Sequence, residues 1–280
     1  MVATSCSPDS VHRAAFAALM TADPEAKAAA AIAVESAWRD DALGLPMAGD
    51  AGAEPATPVP RPGRPERPRL VAPADLPRRR AGSPAGHGAL LHSIAHIEFN
   101  AIDLALDCVY RYRGLPRLYY EGWLRVAAEE AAHFRLMRGR LNSLGFEYGD
   151  FDAHNGLWEM ACKTADDPLA RMALVPRVLE ARGLDATPPI MAKLRAIGDL
   201  ASIQVLEVIL RDEVGHVALG DEWFRYLCRE RGLEPEATYL ALLTRFDAPW
   251  PQAPLNVAAR REAGFGAEEL DRLARGRPRG

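Results

Sequence analysis

Trp123-Leu124-Arg125-Val126-Ala127-Ala128-Glu129-Glu130-Ala131-Ala132-His133-Phe134-Arg135-Leu136-Met137 is the stretch on which the reading of this chain turns. Trp123, Val126, Met137, Leu141 and Leu144 recur at helical spacing, and Glu130 and His133 fill the intervening positions of that stripe. A carboxylate and an imidazole thus stand one turn apart where periodicity calls for core side chains. The pattern returns downstream as Leu206, Ile209, Glu213, His216, Gly220, Trp223 and Leu227. Two other stripes carry one inward acid each: Leu91, Ile94, Glu98, Ala101 or Ile102 and Ala105, then Leu169, Met172, Pro176 and Glu180.

Burying an unpaired carboxylate costs several kcal/mol, so roughly four uncompensated ones would exceed the margin by which a domain is stable. Divalent ions are the simplest compensation. Mixed carboxylate and imidazole donors suit iron or manganese, and two Glu-x-x-His helices with two single-Glu helices make a dinuclear ligand set. Depth gives a second check. At a rise of ~1.5 Å per residue, the chain descends about 24 Å from Glu98 to the turn at Gly114 and climbs about 21 Å from Pro116 to Glu130, so the two acids reach similar height.

Outward from these stripes, the pattern predicts long helices over 86–113, 116–144 and 199–231. A third helix falls within 155–182 and is interrupted at Pro176, Gly183 to Pro189 breaks the chain, and 190–197 forms a short helix. No sheet is expected. Asp23-Pro24 reads as a cap and first helical residue, giving two short helices before about Leu45. Prolines beside arginines, as in Pro60-Arg61-Pro62-Gly63-Arg64-Pro65, make an extended connector. The expected organisation is an N-terminal helical extension (1–53), a Pro/Arg-rich connector (54–85), an all-α four-helix bundle (86–232), and a C-terminal helix with a tail frayed from Gly276 (233–280). His92 and His96 fall off the Glu98 stripe and are read as packing or hydrogen-bonding residues. Asp103, Glu159 and Glu207 are read as surface groups or groups behind the ligands.

A net charge of −4 provides no global basic field for nucleic acid or anionic lipid. The Arg78-Arg79-Arg80 triplet is read as pairing with surface carboxylates, with a local phosphate contact through it and the arginines from Arg61 as the alternative. Cys6, Cys108, Cys162 and Cys228 lack metal-site or disulfide spacing and read as reduced packing residues. No signal-like start and no apolar run of membrane-spanning length occur, so a soluble cytoplasmic protein is expected. Phosphate loop, zinc-protease helix and nucleophile elbow are all lacking.

Ile94-Ala95-His96-Ile97-Glu98-Phe99-Asn100, Arg177-Val178-Leu179-Glu180-Ala181-Arg182-Gly183-Leu184-Asp185 and Arg211-Asp212-Glu213-Val214-Gly215-His216 resemble the ferritin-like di-iron carboxylate superfamily. Within it, the chain is most similar to the bacterial ferritin-like family catalogued as domain of unknown function 455. The resemblance implies Glu98, Glu130, His133, Glu180, Glu213 and His216 as metal ligands and catalytic residues, with Asp212 orienting a ligating imidazole. It implies two iron ions, Mn/Fe or Mn/Mn being the other pairings, with dioxygen as co-substrate. The activity so implied is non-haem di-iron hydroxylation or oxygenation of an organic small molecule. Ferroxidase or peroxide-scavenging metal handling and a tRNA-modifying hydroxylase are the alternatives within the superfamily. A homodimer and an external electron donor are compatible with this reading. Met137 stands two turns after Glu130, where a radical-generating reductase subunit would carry tyrosine.

Overall fold

Asp23 and Ser83, each followed by proline, open two helices of the chain. The Asp23 carboxylate accepts the Ala26 N–H at 2.8 Å and the Ser83 hydroxyl accepts that of Gly86 at 3.1 Å. Proline then fills the first helical position, where its missing N–H costs nothing. The computed structural model describes residues 9–46, 54–77, 79 and 82–277, and the chain is all-α. Strand among these residues is confined to the parallel pair Asp9–Ser10 and Leu43–Gly44, with one bridge between Leu70 and Ala153. No helix of the described residues is long and apolar enough to cross a membrane. The chain divides into two compact units, residues 1–155 and 156–280.

In the first unit, α1 (Val11–Leu19) and α2 (Pro24–Arg39) pack on a hairpin of α3 (Pro84–Arg111) and α4 (Arg117–Ser143). α3 is buried around nearly its whole circumference, so its polar residues must find partners inside. Asp103, expected near the surface or behind the ligands, is instead fully buried and paired with the equally buried Lys27 of α2. The Lys27 ammonium also donates to the carbonyls of Leu19 at 3.0 Å and Gly63 at 2.7 Å, which fastens the proline-rich connector to the helices. Gly63 lies so close to Met20 that a Cβ would come within 2.2 Å of its carbonyl oxygen.

Between Glu54 and Pro77 the connector is extended apart from one 3₁₀ turn, Pro73–Asp75. Its arginines are largely engaged within the unit. Arg64 donates to Asn100 at 2.8 Å and to Asn155, Arg69 pairs with Asp152 at 2.6 Å, and Arg79 lies over the Phe151 ring. Arg78 and Arg80 of the basic triplet lie outside the described residues, as do Cys6 and the chain end from 278. Cys108 and Cys228 are buried and in no disulfide, whereas Cys162 is exposed rather than packed.

Burial of three histidines, His12, His92 and His96, makes the first unit sensitive to acid. Burial pushes both His12 and His92 down to about 4. In the unfolded chain they titrate near 6.5, so on acidification the unfolded state takes up protons first, and stability present above 6.5 is lost down to about 4. Moving from pH 7.5 to 5 should therefore cost about 2 kcal/mol per ring. NMR titration of the His12 and His92 rings checks this: each should stay neutral down to about pH 4, and a midpoint near 6.5 contradicts it.

The second unit is built along α8 (Leu200–Glu230). α5 (Gly156–Lys163) and α6 (Pro168–Leu174) are joined by buried Arg171, which donates to the Thr164 hydroxyl at 2.9 Å and the Ala161 carbonyl at 2.6 Å. A π-helical turn, Val175–Glu180, leads directly into α7 (Ala181–Ala196). The break expected over 183–189 does not occur. Pro188 cannot donate to the Leu184 carbonyl, but the Asn256 side-chain amide does so at 3.1 Å, and Arg260 anchors the neighbouring Asp185 carboxylate at 2.7 Å. Beyond α8 the expected single helix is three: α9 (Pro235–Arg245), α10 (Val257–Glu262) and α11 (Ala267–Ala274).

Candidate metal centre

On α3 and α4, periodicity turns Glu98, Glu130 and His133 to one place in the first unit. All three are buried, and ligand atoms from each lie within 4.8 Å of one another. His133 Nδ1 is 3.4 Å from Glu98 Oε2 and 3.3 Å from Glu130 Oε2, so two carboxylates converge on one imidazole nitrogen. Burial first, and then the neighbouring Glu130 charge, push Glu98 up to about 8, against the pull of His133. Burial alone would lower His133, but hydrogen bonds and charge from Glu130 and Glu98 outweigh it and raise the imidazole to about 11. A proton held between the two acids thus supplies positive charge at a point where oxygen and nitrogen donors meet. Donors so placed could hold a metal ion.

The hairpin also carries an aromatic cluster. Phe99 and Phe134 pack at 5.3 Å between ring centroids, and Tyr148 closes on both. His96 accepts the Tyr148 hydroxyl at 2.9 Å and His92 accepts the Gly149 N–H at 3.0 Å, so both act through hydrogen bonds.

In the second unit, α8 carries Glu213 and His216, with Oε2 3.3 Å from Nδ1 and both residues buried. Glu180 ends the π turn and is partly exposed. Among the described residues it belongs to no group of three ligand atoms within 4.8 Å. Pro176, expected as an interruption, produces the wider turn because it has no N–H, and the Ala181 N–H reaches back five residues to the Pro176 carbonyl. α8 approaches this turn at Gly220, where a Cβ would lie 2.3 Å from Pro176 Cβ and Cγ. A Cβ added at Gly183 would lie 3.8 Å from Glu213 Cγ, in ordinary contact with that side chain. Asp212, expected beside an imidazole, pairs with the Arg211 guanidinium at 2.8 Å. Glu159 and Glu207 are exposed.

Sequence reasoning missed Arg177. Its buried guanidinium lies 2.8 Å from Asp221 and 2.5 Å from Glu269, with the rings of Phe224, Tyr239 and Phe265 around it. It ties the π turn to α8 and α11. The available signal was Asp221, an acid next to Gly220 on the inner stripe of α8.

Fold and side chains therefore define an all-helical protein with a buried carboxylate and imidazole group able to hold a metal ion. The sequence profile of the family described as "Protein of unknown function (DUF455)" matches residues 20–271, and the chain belongs to that family. It is 48% identical over 214 residues to a protein of Haemophilus influenzae described as "Uncharacterized protein", a match covering 74% of each chain. No solved structure matches the chain.

Proposed function

We propose that this protein is a ferritin-like, non-haem di-iron oxidoreductase that uses dioxygen to hydroxylate an organic substrate. The observation that carries the reading is the convergence of Glu98, Glu130 and His133 in a water-excluded interior. The repeated Glu-x-x-His pattern extends it: Glu180, Glu213 and His216 complete the ligand set of one dinuclear centre. Four carboxylates balance the charge of two divalent ions. Iron bound by these residues supplies the redox chemistry toward dioxygen that no protein side chain provides.

The chain's own part is binding, proton management and exclusion of water. Glu98 and Glu130 offer oxygen donors, and His133 must release the proton on Nδ1 before that nitrogen can ligate. Burial of Glu98, Glu130 and His133 keeps bulk water from them in the first unit. Glu180, at the end of the π turn, is partly exposed.

The test is anaerobic loading of the full chain with ferrous iron, followed by an optical record on admitting oxygen. A band that rises with oxygen and decays faster when an organic substrate is present supports hydroxylation. Ferrous iron turned over many times per chain, with organic compounds without effect, would replace this reading by metal handling. Absence of any oxygen-dependent change would remove both.

A further inference from the structure

The first unit contains a cavity of about 400 Å³ that the metal centre does not use. It lies where the first turn of α1, the start of the connector and the end of α3 meet, and its walls include Arg13, Phe16, Glu54, Tyr110 and Arg113. Phe16 and Tyr110 form an apolar side, their rings 4.7 Å apart. The Tyr110 hydroxyl is fixed by the Thr57 N–H and hydroxyl, each at 2.8 Å, so that wall is rigid.

Arg113 is the unexplained group. It lies over the Tyr110 ring at 5.4 Å and donates through Nη1 to the Tyr110 carbonyl, yet its Nε is buried with no hydrogen-bond partner. A buried donor without an acceptor costs about 1–3 kcal/mol, and more when the group is charged. His12 also borders the cavity. It donates from Nδ1 to the Val109 carbonyl at 2.8 Å, and burial keeps the ring neutral at ordinary pH. Two guanidinium groups and one carboxylate then leave a single positive charge beside an apolar wall. A volume of this size falls within the range of small-molecule sites.

We infer that this cavity binds a small monocarboxylate with an aromatic or alkyl body, its carboxylate on Arg113 and Arg13 and its body against Phe16 and Tyr110. A monoanion matches the net charge, whereas a dianionic phosphate would leave an excess of negative charge beside Glu54. The site is independent of metal, so its failure and the failure of the di-iron reading are separable.

The test is titration of the full chain with benzoate, phenylacetate and octanoate, followed by saturation-transfer NMR and calorimetry. At least one should bind saturably at or below about 5 mM, the weak range expected for ligands of this size. Arg113→Gln should weaken binding about tenfold or more. Glu54→Gln, at an exposed position, should tighten binding severalfold by removing like-charge repulsion. Arg13→Gln, also at an exposed position, should weaken it, which keeps the test open even if the Arg113 variant does not fold. The inference is overturned if none of the three probes saturates, or if binding is unchanged in the Glu54 and Arg13 variants.

Discussion

Lys27→Met should lower the stability of this protein by about 3–5 kcal/mol, because it leaves the Asp103 carboxylate in a dry core without its ammonium partner. Burial lowers the Lys27 pKa and raises that of Asp103, so each is held in its charged form by the other. Arg64 is the nearest remaining cation, but its Nε lies 4.0 Å from Asp103 Oδ2, too far for a hydrogen bond. The substitution also removes the donor to the Leu19 and Gly63 carbonyls, releasing the connector at the point where it crosses the helices. Lys27→Met with Asp103→Leu should recover most of the loss, since replacing a buried pair by apolar side chains is often neutral. Urea unfolding of the two single variants and the double variant measures the coupling. A Lys27→Met midpoint equal to that of the parent would show that the pair does not hold the unit together.

Gly220→Ala should cost about 2–3 kcal/mol and reduce the metal bound by the chain. The added methyl would lie 2.3 Å from Cβ and Cγ of Pro176, and a proline ring has no rotamer by which to withdraw. α8 and the π turn must separate, and these two elements carry His216 one turn before Gly220 and Glu180 one turn after Pro176. Gly215→Ala provides the contrast on the same helix. Nothing lies within 4 Å of its added methyl, so the better helix propensity of alanine should stabilise the protein by up to about 1 kcal/mol with metal content unchanged. Thermal unfolding and metal analysis of both variants test the pair. Equal behaviour of the two would remove the close approach at Gly220 as the cause.

Much of the helical architecture was legible because its signals are local. Asp23-Pro24 opens α2 as the cap rules require, and Gly145 and Gly232, with φ of 81° and 63°, follow α4 and α8 where the apolar stripes stop. Glu98, Glu130 and His133 were legible for the same reason, as polar residues at core positions of strongly periodic helices. The break expected at 183–189 failed because the donor that relieves Pro188 comes from Asn256, 68 positions further along, and no local pattern contains it. Asp103 was misplaced because α3 is buried on nearly every side and loses the contrast between faces on which periodicity depends. Its partner left a signal not used: Lys27, Ala31, Val34 and Trp38 form one buried helical stripe in which the lysine is the exception. Glu180 was assigned at α-helical spacing, but the π turn that carries it changes that spacing.

Metal content of the full chain, prepared without chelator and loaded anaerobically with ferrous iron, tests the central claim most directly. Two ions per chain should bind, and Glu130→Ala and His216→Ala should each abolish both, because one dinuclear centre cannot keep its second ion when either Glu-x-x-His group is broken. Fewer than about 0.2 ions per chain after loading, or the loss of only one ion in each variant, would contradict a shared di-metal site.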